Sequence, residues 1–349
     1  MKVFIKTFGC QANLADSEAL AGILVENKFK LVDSIKKADI VIVNSCGVKN
    51  TTQNRVFSFV ESIPKNKRVY IGGCLPRMIN LEKYVRFDGL FDCNSITKIV
   101  DLIKGKRSLY FSDEKENRIL CKRVRKDVGI VVIAQGCLGN CSYCSVKFAR
   151  GNLKSYSINK IKKEVENFVK DGCKIIYLSS QDNGCYGLDI KTNLVNLLKE
   201  VVKVKGNYQI RVGMTNPEYV LKYLKDLVEI YKNEKIMKFL HIPVQSGSGK
   251  VLKDMNRKYK VKDFKKIIKE FRKKFPDISI ATDIIVGYPT ETKEDFKKTV
   301  KLLKKIKPEV LNLSKFGPRP RTKASKLKQL PSQVIKERSV KISKLYKKK

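Results

Sequence analysis

The chain alternates short apolar runs with longer amphipathic ones. In its first third, VFIKTFG (3–9), DIVIVNS (39–45) and RVYIGG (68–73) are brief and strand-like. Between them, DSEALAGILVENKF (16–29) and TTQNRVFSFVESI (51–63) carry apolar residues at helical spacing. Strands alternating with helices predict a parallel α/β sheet. From about 105 to 127 the chain is polar and charged without a helical period, and reads as a link between domains. Alternation then resumes with six strand candidates: GIVVIA (129–134), KIIYLSS (174–180), YQIRVGM (208–214), KFLHIPV (238–244), ISIATDIIVG (278–287) and EVLNLSKF (309–316). Amphipathic segments such as 158–172, 193–204 and 261–275 separate them. Six such units predict an open relative of the eightfold β/α barrel. The expected organisation is an α/β protein with an N-terminal parallel α/β domain over 1–110, a connector over 111–127, a partial barrel over 128–318 and a basic tail over 319–349.

At 349 residues and 42% apolar content the chain can bury a large core. It shows neither a signal peptide nor an apolar run long enough to span a bilayer, so the expectation is a cytoplasmic protein without a membrane partner. Lys and Arg number 74 against 34 Asp and Glu, a net charge of +40. A thermophilic lysine bias raises Glu alongside Lys, which is not the case here. Unbalanced positive charge points to a polyanionic partner, RNA before a membrane surface.

Three of the ten cysteines stand in GCLGNCSYC, as Cys137, Cys141 and Cys144, directly after the first strand of the second domain. Structural zinc takes four ligands, usually from two paired knuckles. Iron-sulfur cubanes are also normally held by four thiolates, so a loop offering three leaves one iron open to another molecule. A second set, Cys10, Cys46 and Cys74, follows the first three predicted strands. The carboxyl ends of parallel strands share one edge of the sheet, so these three are expected to converge. Taken singly, each would read as an ordinary buried thiol. Cys93, Cys121, Cys173 and Cys185 have no partner at metal-ligand spacing and read as packing residues, Cys185 bordering the expected cavity.

The CxxxCxxC loop after a barrel strand resembles that of the radical S-adenosylmethionine (SAM) enzymes. The N-terminal strings GCQAN, NSCGV and GGCLP resemble the first domain of the methylthiotransferases within that group. The resemblance implies a methylthiotransferase domain followed by a partial (β/α)6 radical SAM barrel. It implies two 4Fe-4S clusters: one on Cys137, Cys141 and Cys144, whose open iron binds SAM, and one on Cys10, Cys46 and Cys74, which carries the sulfur to be transferred. The hard chemistry is then the cofactors', and the protein binds, orients and excludes water.

The same resemblance assigns cofactor contacts at strand ends. Tyr143 would lie against the adenine ring, and Ser180, Gln181 and Asp182 would meet the amino acid end of SAM. A polar group at the end of a barrel strand favours a functional role, although Asn183 and Gly184 could form a plain turn there. Gln245 and Ser246 in HIPVQSGSGK, Arg257 in MNRKY and Asp283 in TDIIVGYP match family segments that face the cofactor. Gly287 would let the backbone approach it. Arg257 could equally be a solvated charge. His241, the single histidine, reads on sequence alone as a hydrogen-bonded core or near-core group rather than a catalyst.

ARGNLKSYS, SSQDNGCYGLD and RVGMTNPEYV resemble the archaeal and eukaryotic branch, which acts on N6-threonylcarbamoyladenosine at position 37 of tRNA. The expected partners are the tRNA anticodon stem-loop and an external electron donor. The expected reaction uses one SAM to methylate the cluster sulfur and a second to generate the radical that takes hydrogen from carbon 2 of the adenine. Other readings are methylthiolation of isopentenyladenosine tRNA or of a ribosomal protein aspartate, and a nonenzymatic iron-sulfur protein binding RNA or carrying electrons. After FGPRPRTKAS, where Arg321 replaces a common glycine, the chain departs from the family: the expected C-terminal RNA-binding TRAM domain gives way to a lysine-rich helical tail. Residues 315–349 hold 13 Lys or Arg and one Glu, a net of +12. The tail is expected to supply part of the missing phosphate affinity, with a separate TRAM-type protein as a further partner.

Overall fold

The computed structural model describes residues 1–114 and 127–346. The connector expected over 111–127, with its Cys121, therefore lies largely outside the described residues.

The first domain is a six-stranded sheet, all neighbours parallel, in the order β2-β1-β3-β4-β5-β6. Its strands are β1 (Lys2–Thr7), β2 (Lys30–Leu31), β3 (Ile40–Ser45), β4 (Arg68–Gly73), β5 (Gly89–Phe91) and β6 (Leu109–Tyr110). β3 is buried along its whole length, as a central parallel strand covered on both faces must be. Alternate residues divide between the two layers. Ile40 and Ile42 join Leu20, Leu24 and Phe91 on one side, while Val41 and Val43 join Val56, Val60 and Ile71 on the other, the period of two that a strand imposes. The two-residue strands β2 and β6 are too short to leave a pattern, so Leu109–Tyr110 belongs to the sheet edge although the surrounding sequence is polar.

In the second domain the six predicted strands all form. They are β7 (Val128–Val132), β10 (Ile175–Ser179), β11 (Gln209–Val212), β12 (Phe239–His241), β13 (Ser279–Val286) and β14 (Val310–Lys315). β7, β10 and β11 make one parallel sheet and β12, β13 and β14 another. A parallel bridge between Ile210 and Ile236 joins them, giving six strands in chain order, an open barrel. A single large core lies between these strands and their covering helices. Two further strands, β8 (Ala134–Gln135) and β9 (Lys154–Ser155), pair antiparallel and pinch the base of the loop that carries Cys137, Cys141 and Cys144.

The basic tail is structured and docked. A helix over Ser332–Tyr346 packs beside β13 and β14, with Ile342 fully buried and Ile335 and Tyr346 against the main core. Arg338 donates to the buried carboxylate of Glu291 at 2.5 Å. No described helix is long and apolar enough to cross a membrane.

Candidate functional site

Strands β1, β3 and β4 are neighbours, and Cys10, Cys46 and Cys74 stand just beyond their carboxyl ends. The expected convergence holds. Cys46 and Cys74 are buried and Cys10 is exposed. Burial pushes the Cys46 thiol up to about 12, with Cys74 and Cys10 near enough to add to the effect. Gly9, at φ +131°, lets β1 turn sharply into Cys10; a Cβ there would lie 2.7 Å from Asn13 Oδ1 and 2.9 Å from Cys46 Cβ. Behind the thiols Asn13 and Asn44 bond each other, Asn13 Nδ2 to Asn44 Oδ1 at 3.3 Å and Asn44 Nδ2 to the Asn13 carbonyl at 2.7 Å. This buried polar floor fixes the strand ends.

The second triad sits on a loop held at several points. Gly136 N–H donates to Gln181 Oε1 at 2.6 Å, and Cys137 N–H to the Gly151 carbonyl at 3.3 Å. Gly139 lies between two of the thiols: its N–H donates to Cys137 Sγ at 3.2 Å, and a Cβ would stand 3.3 Å from Cys137 Sγ and 3.8 Å from Cys141 Sγ. Arg257 Nη1 donates to Cys141 Sγ at 3.3 Å and its Nη2 to Asn216 Oδ1 at 3.1 Å. Burial pushes Cys144 up to about 12 and the other two thiols add to it. Tyr143 packs beside Val251, Met255, Tyr288 and Phe316.

The other predicted residues divide. Gln181, Asp182 and Arg257 gather about the cysteine loop. Asp182 Oδ1 accepts from Gly184 N–H at 2.9 Å and Asn216 N–H at 3.0 Å, and burial pushes its carboxyl up to about 6. Ser180 spends its hydroxyl on Asn183 Oδ1 at 2.5 Å. Gln245 holds a left-handed backbone at φ +68°, the kind of strain that gathers at functional sites, and bridges to β13 by its backbone. Ser246 is fully buried, with its hydroxyl against Thr299 Oγ1 at 3.4 Å and accepting from Ser248 N–H at 3.2 Å. Asp283 Oδ1 meets His241 Nε2 at 3.1 Å and accepts from Asn312 Nδ2 at 2.7 Å. His241 is thus hydrogen-bonded and partly buried, as the sequence suggested. At Gly287, Ile335 of the terminal helix comes close, its Cγ1 2.5 Å from the position of a Cβ.

Two cysteines read as packing residues lie against the triads. Hydrogen bonding from Cys93 lowers the Cys74 thiol, and hydrogen bonding from Cys185 lowers that of Cys137. Cys93 also contacts the Ala149 carbonyl at 3.3 Å. Arg150 and Arg319 had drawn no attention in the sequence. Arg150 Nε donates to Cys74 Sγ at 3.2 Å and its Nη2 to Asp16 Oδ2 at 2.6 Å; Arg319 donates to Asn50 and to Gln53 Oε1, the latter at 2.8 Å. Arg150 from the barrel and Arg319 from the start of the tail both reach the first domain near its cysteine edge. The one clue was position, Arg150 standing six residues after Cys144.

Among the described residues no group of three His, Cys, Asp or Glu side chains stands as placed where it could hold a metal ion. Backbone and guanidinium N–H groups stand on the sulfurs of Cys137, Cys74 and Cys141, surroundings that suit thiolate ligands of an iron-sulfur cluster.

Two family models match the chain, the Radical SAM superfamily over residues 131–303 and the uncharacterized family UPF0004 over residues 2–89. A probable threonylcarbamoyladenosine tRNA methylthiotransferase of Pyrococcus abyssi is 43% identical, over 97% of this chain and 82% of that one. The human threonylcarbamoyladenosine tRNA methylthiotransferase is 37% identical, over 99% of this chain and 62% of its own length. Among solved structures, the radical SAM methyltransferase TsrM of Kitasatospora setae, with cobalamin and a 4Fe-4S cluster bound, aligns with a TM-score of 0.64 over 93% of this chain and 77% of its own, at 12% identity, and so shares the fold. By identity sustained across both of its domains, the chain belongs to the threonylcarbamoyladenosine tRNA methylthiotransferases of the radical SAM superfamily.

Proposed function

We propose that this protein adds a methylthio group to carbon 2 of N6-threonylcarbamoyladenosine at position 37 of tRNA. The observation that carries the reading is a pair of cysteine triads, each beyond the carboxyl end of parallel strands, with Arg150, six residues after Cys144, bonded to Cys74 Sγ of the other triad. Cys137, Cys141 and Cys144 would hold one 4Fe-4S cluster and Cys10, Cys46 and Cys74 a second. When bound, the first supplies the electron that cleaves SAM and the second the sulfur.

The protein's own residues then bind and orient. Tyr143, in its apolar nest, would take the adenine ring of SAM; Gln181, Asp182 and Gln245 would take its polar ends, with Ser180 and Ser246 holding the loops that present them. Arg257 would fix the loop by its bond to Cys141. Asp283, paired with His241 and Asn312, would line the barrel mouth. The substrate base must leave its stack to reach such a site, which is easiest in a single-stranded anticodon loop. The surplus of 40 positive charges suits the phosphates of the stem. Each turnover consumes electrons, which an external protein donor would deliver.

Nucleoside mass spectrometry of tRNA from a strain lacking the protein tests the substrate: the methylthio form of threonylcarbamoyladenosine should disappear, and its persistence would refute the assignment. Iron counting after anaerobic reconstitution tests the second cluster, with about eight irons per chain expected for two cubanes.

A further inference from the structure

We propose that Arg321 selects the substrate by holding the carboxylate of its threonyl group, an inference that rests on N6-threonylcarbamoyladenosine being the substrate and names the residue that recognises it.

Arg321 stands on a segment that runs between the two triads. Just before it, Arg319 bonds Asn50 and Gln53 of the first domain, and its Nη2 lies 3.5 Å from the position of a Cβ on Gly47, the neighbour of Cys46. Just after it, Ala324 N–H donates at 2.9 Å to the carbonyl of Ser142, inside the loop of Cys137, Cys141 and Cys144. Arg321 is at the tip of the turn between, where Thr322 Oγ1 closes back on the Arg319 carbonyl at 2.7 Å. Its guanidinium carbon is 4.5 Å from the ring centroid of Phe148. Phe148 belongs to the helix Val146–Arg150, which packs on the turn Leu75–Arg77 directly after Cys74. The next residue, Ala149, shares a cluster with Cys74 and Met78.

The cations at this seam differ in what they hold. Arg150 and Arg319 are buried, with donors turned to Cys74, Asp16, Asn50 and Gln53. Arg321 is exposed, and among the described residues no carboxylate pairs with it. A cation–π contact steadies a guanidinium without using its N–H donors, so the planar fork that matches a carboxylate stays available. The backbone of Arg321 is held at φ +65°, where any residue but glycine is strained, and such strain gathers at functional sites. Glycine, the common residue here, would sit without strain.

The proposed reaction puts carbon 2 of the adenine between the two triads. One ring nitrogen separates carbon 2 from carbon 6, so N6 and its substituent leave the purine beside the reacting edge and extend outward, to the rim rather than the floor of the cleft. The threonyl carboxylate is the charge that distinguishes this nucleoside from adenosine and from isopentenyladenosine. Arg321 offers the matching cation on that rim. It would touch the substrate away from the reacting atoms, as a specificity-determining residue.

The test is binding of anticodon stem-loop RNAs that differ only at position 37, which carries N6-threonylcarbamoyladenosine, its neutral methyl ester or adenosine. Fluorescence anisotropy reads their affinity for the anaerobically reconstituted full-length protein. Wild type is compared with Arg321→Gly, which suits the left-handed backbone, and Arg321→Lys, which keeps the charge and loses the fork. Wild type should bind the acid at least about ten-fold more tightly than the ester, the scale of a hydrogen bond to a charged group. Arg321→Gly should erase that difference, weakening the acid about ten-fold while the ester and adenosine loops stay within about two-fold of wild type, with Arg321→Lys between. Equal weakening of all three loops overturns the inference by assigning Arg321 to the RNA backbone, whose phosphates carry no information about the base. Discrimination preserved in Arg321→Gly, with the iron content of wild type, overturns the inference alone. A wild type that binds the acid no better than adenosine overturns the reading of the substrate, and the inference with it.

Discussion

Ile335 of the terminal helix occupies the space a side chain at Gly287 would need, its Cγ1 2.5 Å from the position of that Cβ. Gly287 also has φ +79° and donates its N–H to Glu291 Oε2 at 2.8 Å, the same carboxylate oxygen that Arg338 holds. The tail is thereby built into the barrel, closing the β14 side of the open sheet. Gly287→Ala should destabilise the protein by about 1–3 kcal/mol through backbone strain and overpacking. Truncation after Leu330, which removes the fully buried Ile342, should cost at least about 2 kcal/mol for that side chain alone. Urea denaturation measures both. Truncation that leaves the midpoint unmoved would show the helix to be undocked.

Since truncation disturbs the fold, the tail's part in RNA binding has to be read from its surface. Lys336, Lys341 and Lys344 are exposed on the docked helix. Replacing all three with Gln should leave urea stability within about 0.5 kcal/mol of wild type. If each meets a phosphate, the slope of log affinity for tRNA against log salt should become shallower by about two to three. Binding measured from low to moderate salt decides the matter, an unchanged slope placing the RNA elsewhere on the molecule.

The parts of this architecture that could be read in advance were those with a local cause. The continuous apolar run of IVIV is imposed by a strand buried on both faces, the six apolar runs of the barrel lie on its strands, and the two triads were visible because three cysteines follow strand ends and three share one loop after a strand. What escaped notice depends on contacts distant in sequence. Arg150 and Asp16 are 134 positions apart, and Arg319 and Gln53 are 266 apart. Cys93 and Cys185 carry no spacing signal because they meet their partner thiols only when the chain folds. The contact of Ile335 with Gly287 escaped notice as well, because it comes from a tail that composition alone presented as a charged extension.

Arg257 ties Cys141 Sγ to Asn216 Oδ1 and to the Pro243 carbonyl. Arg257→Lys keeps a charge but loses the fork that spans these groups. Iron at Cys137, Cys141 and Cys144 should be retained, while loss of the hydrogen bond to the Cys141 sulfur should make the cluster harder to reduce. The yield of 5'-deoxyadenosine from SAM should fall about 10- to 100-fold, as for loss of an outer-sphere partner. A redox titration followed by electron paramagnetic resonance separates this from simple cluster loss. An unshifted midpoint with full iron content would mean that the Arg257 bond does not tune the cluster.

Asp182 offers the clearest pH dependence. Burial raises its carboxyl from the ordinary value of 3.8 to about 6 in the folded protein, with Arg257 and two backbone N–H donors opposing the rise. The folded state therefore holds a proton that the unfolded chain releases, so stability is greatest below about pH 4 for this group and declines as pH rises towards 6, after which the loss is constant. A shift of that size corresponds to about 3 kcal/mol at neutral pH. Asp182→Asn keeps an oxygen to accept from Gly184 and Asn216 and removes the buried charge. The variant should gain up to about 3 kcal/mol at pH 7 and show a flatter stability profile between about pH 4 and 6. If Asp182 also receives the amino group of SAM, the same variant should bind SAM at least about ten-fold more weakly, since a charge-assisted bond becomes a neutral one. Stability that rises together with weakened SAM binding identifies a carboxylate held at a folding cost for its ligand; a gain in stability with unchanged SAM affinity would leave Asp182 as a turn residue only.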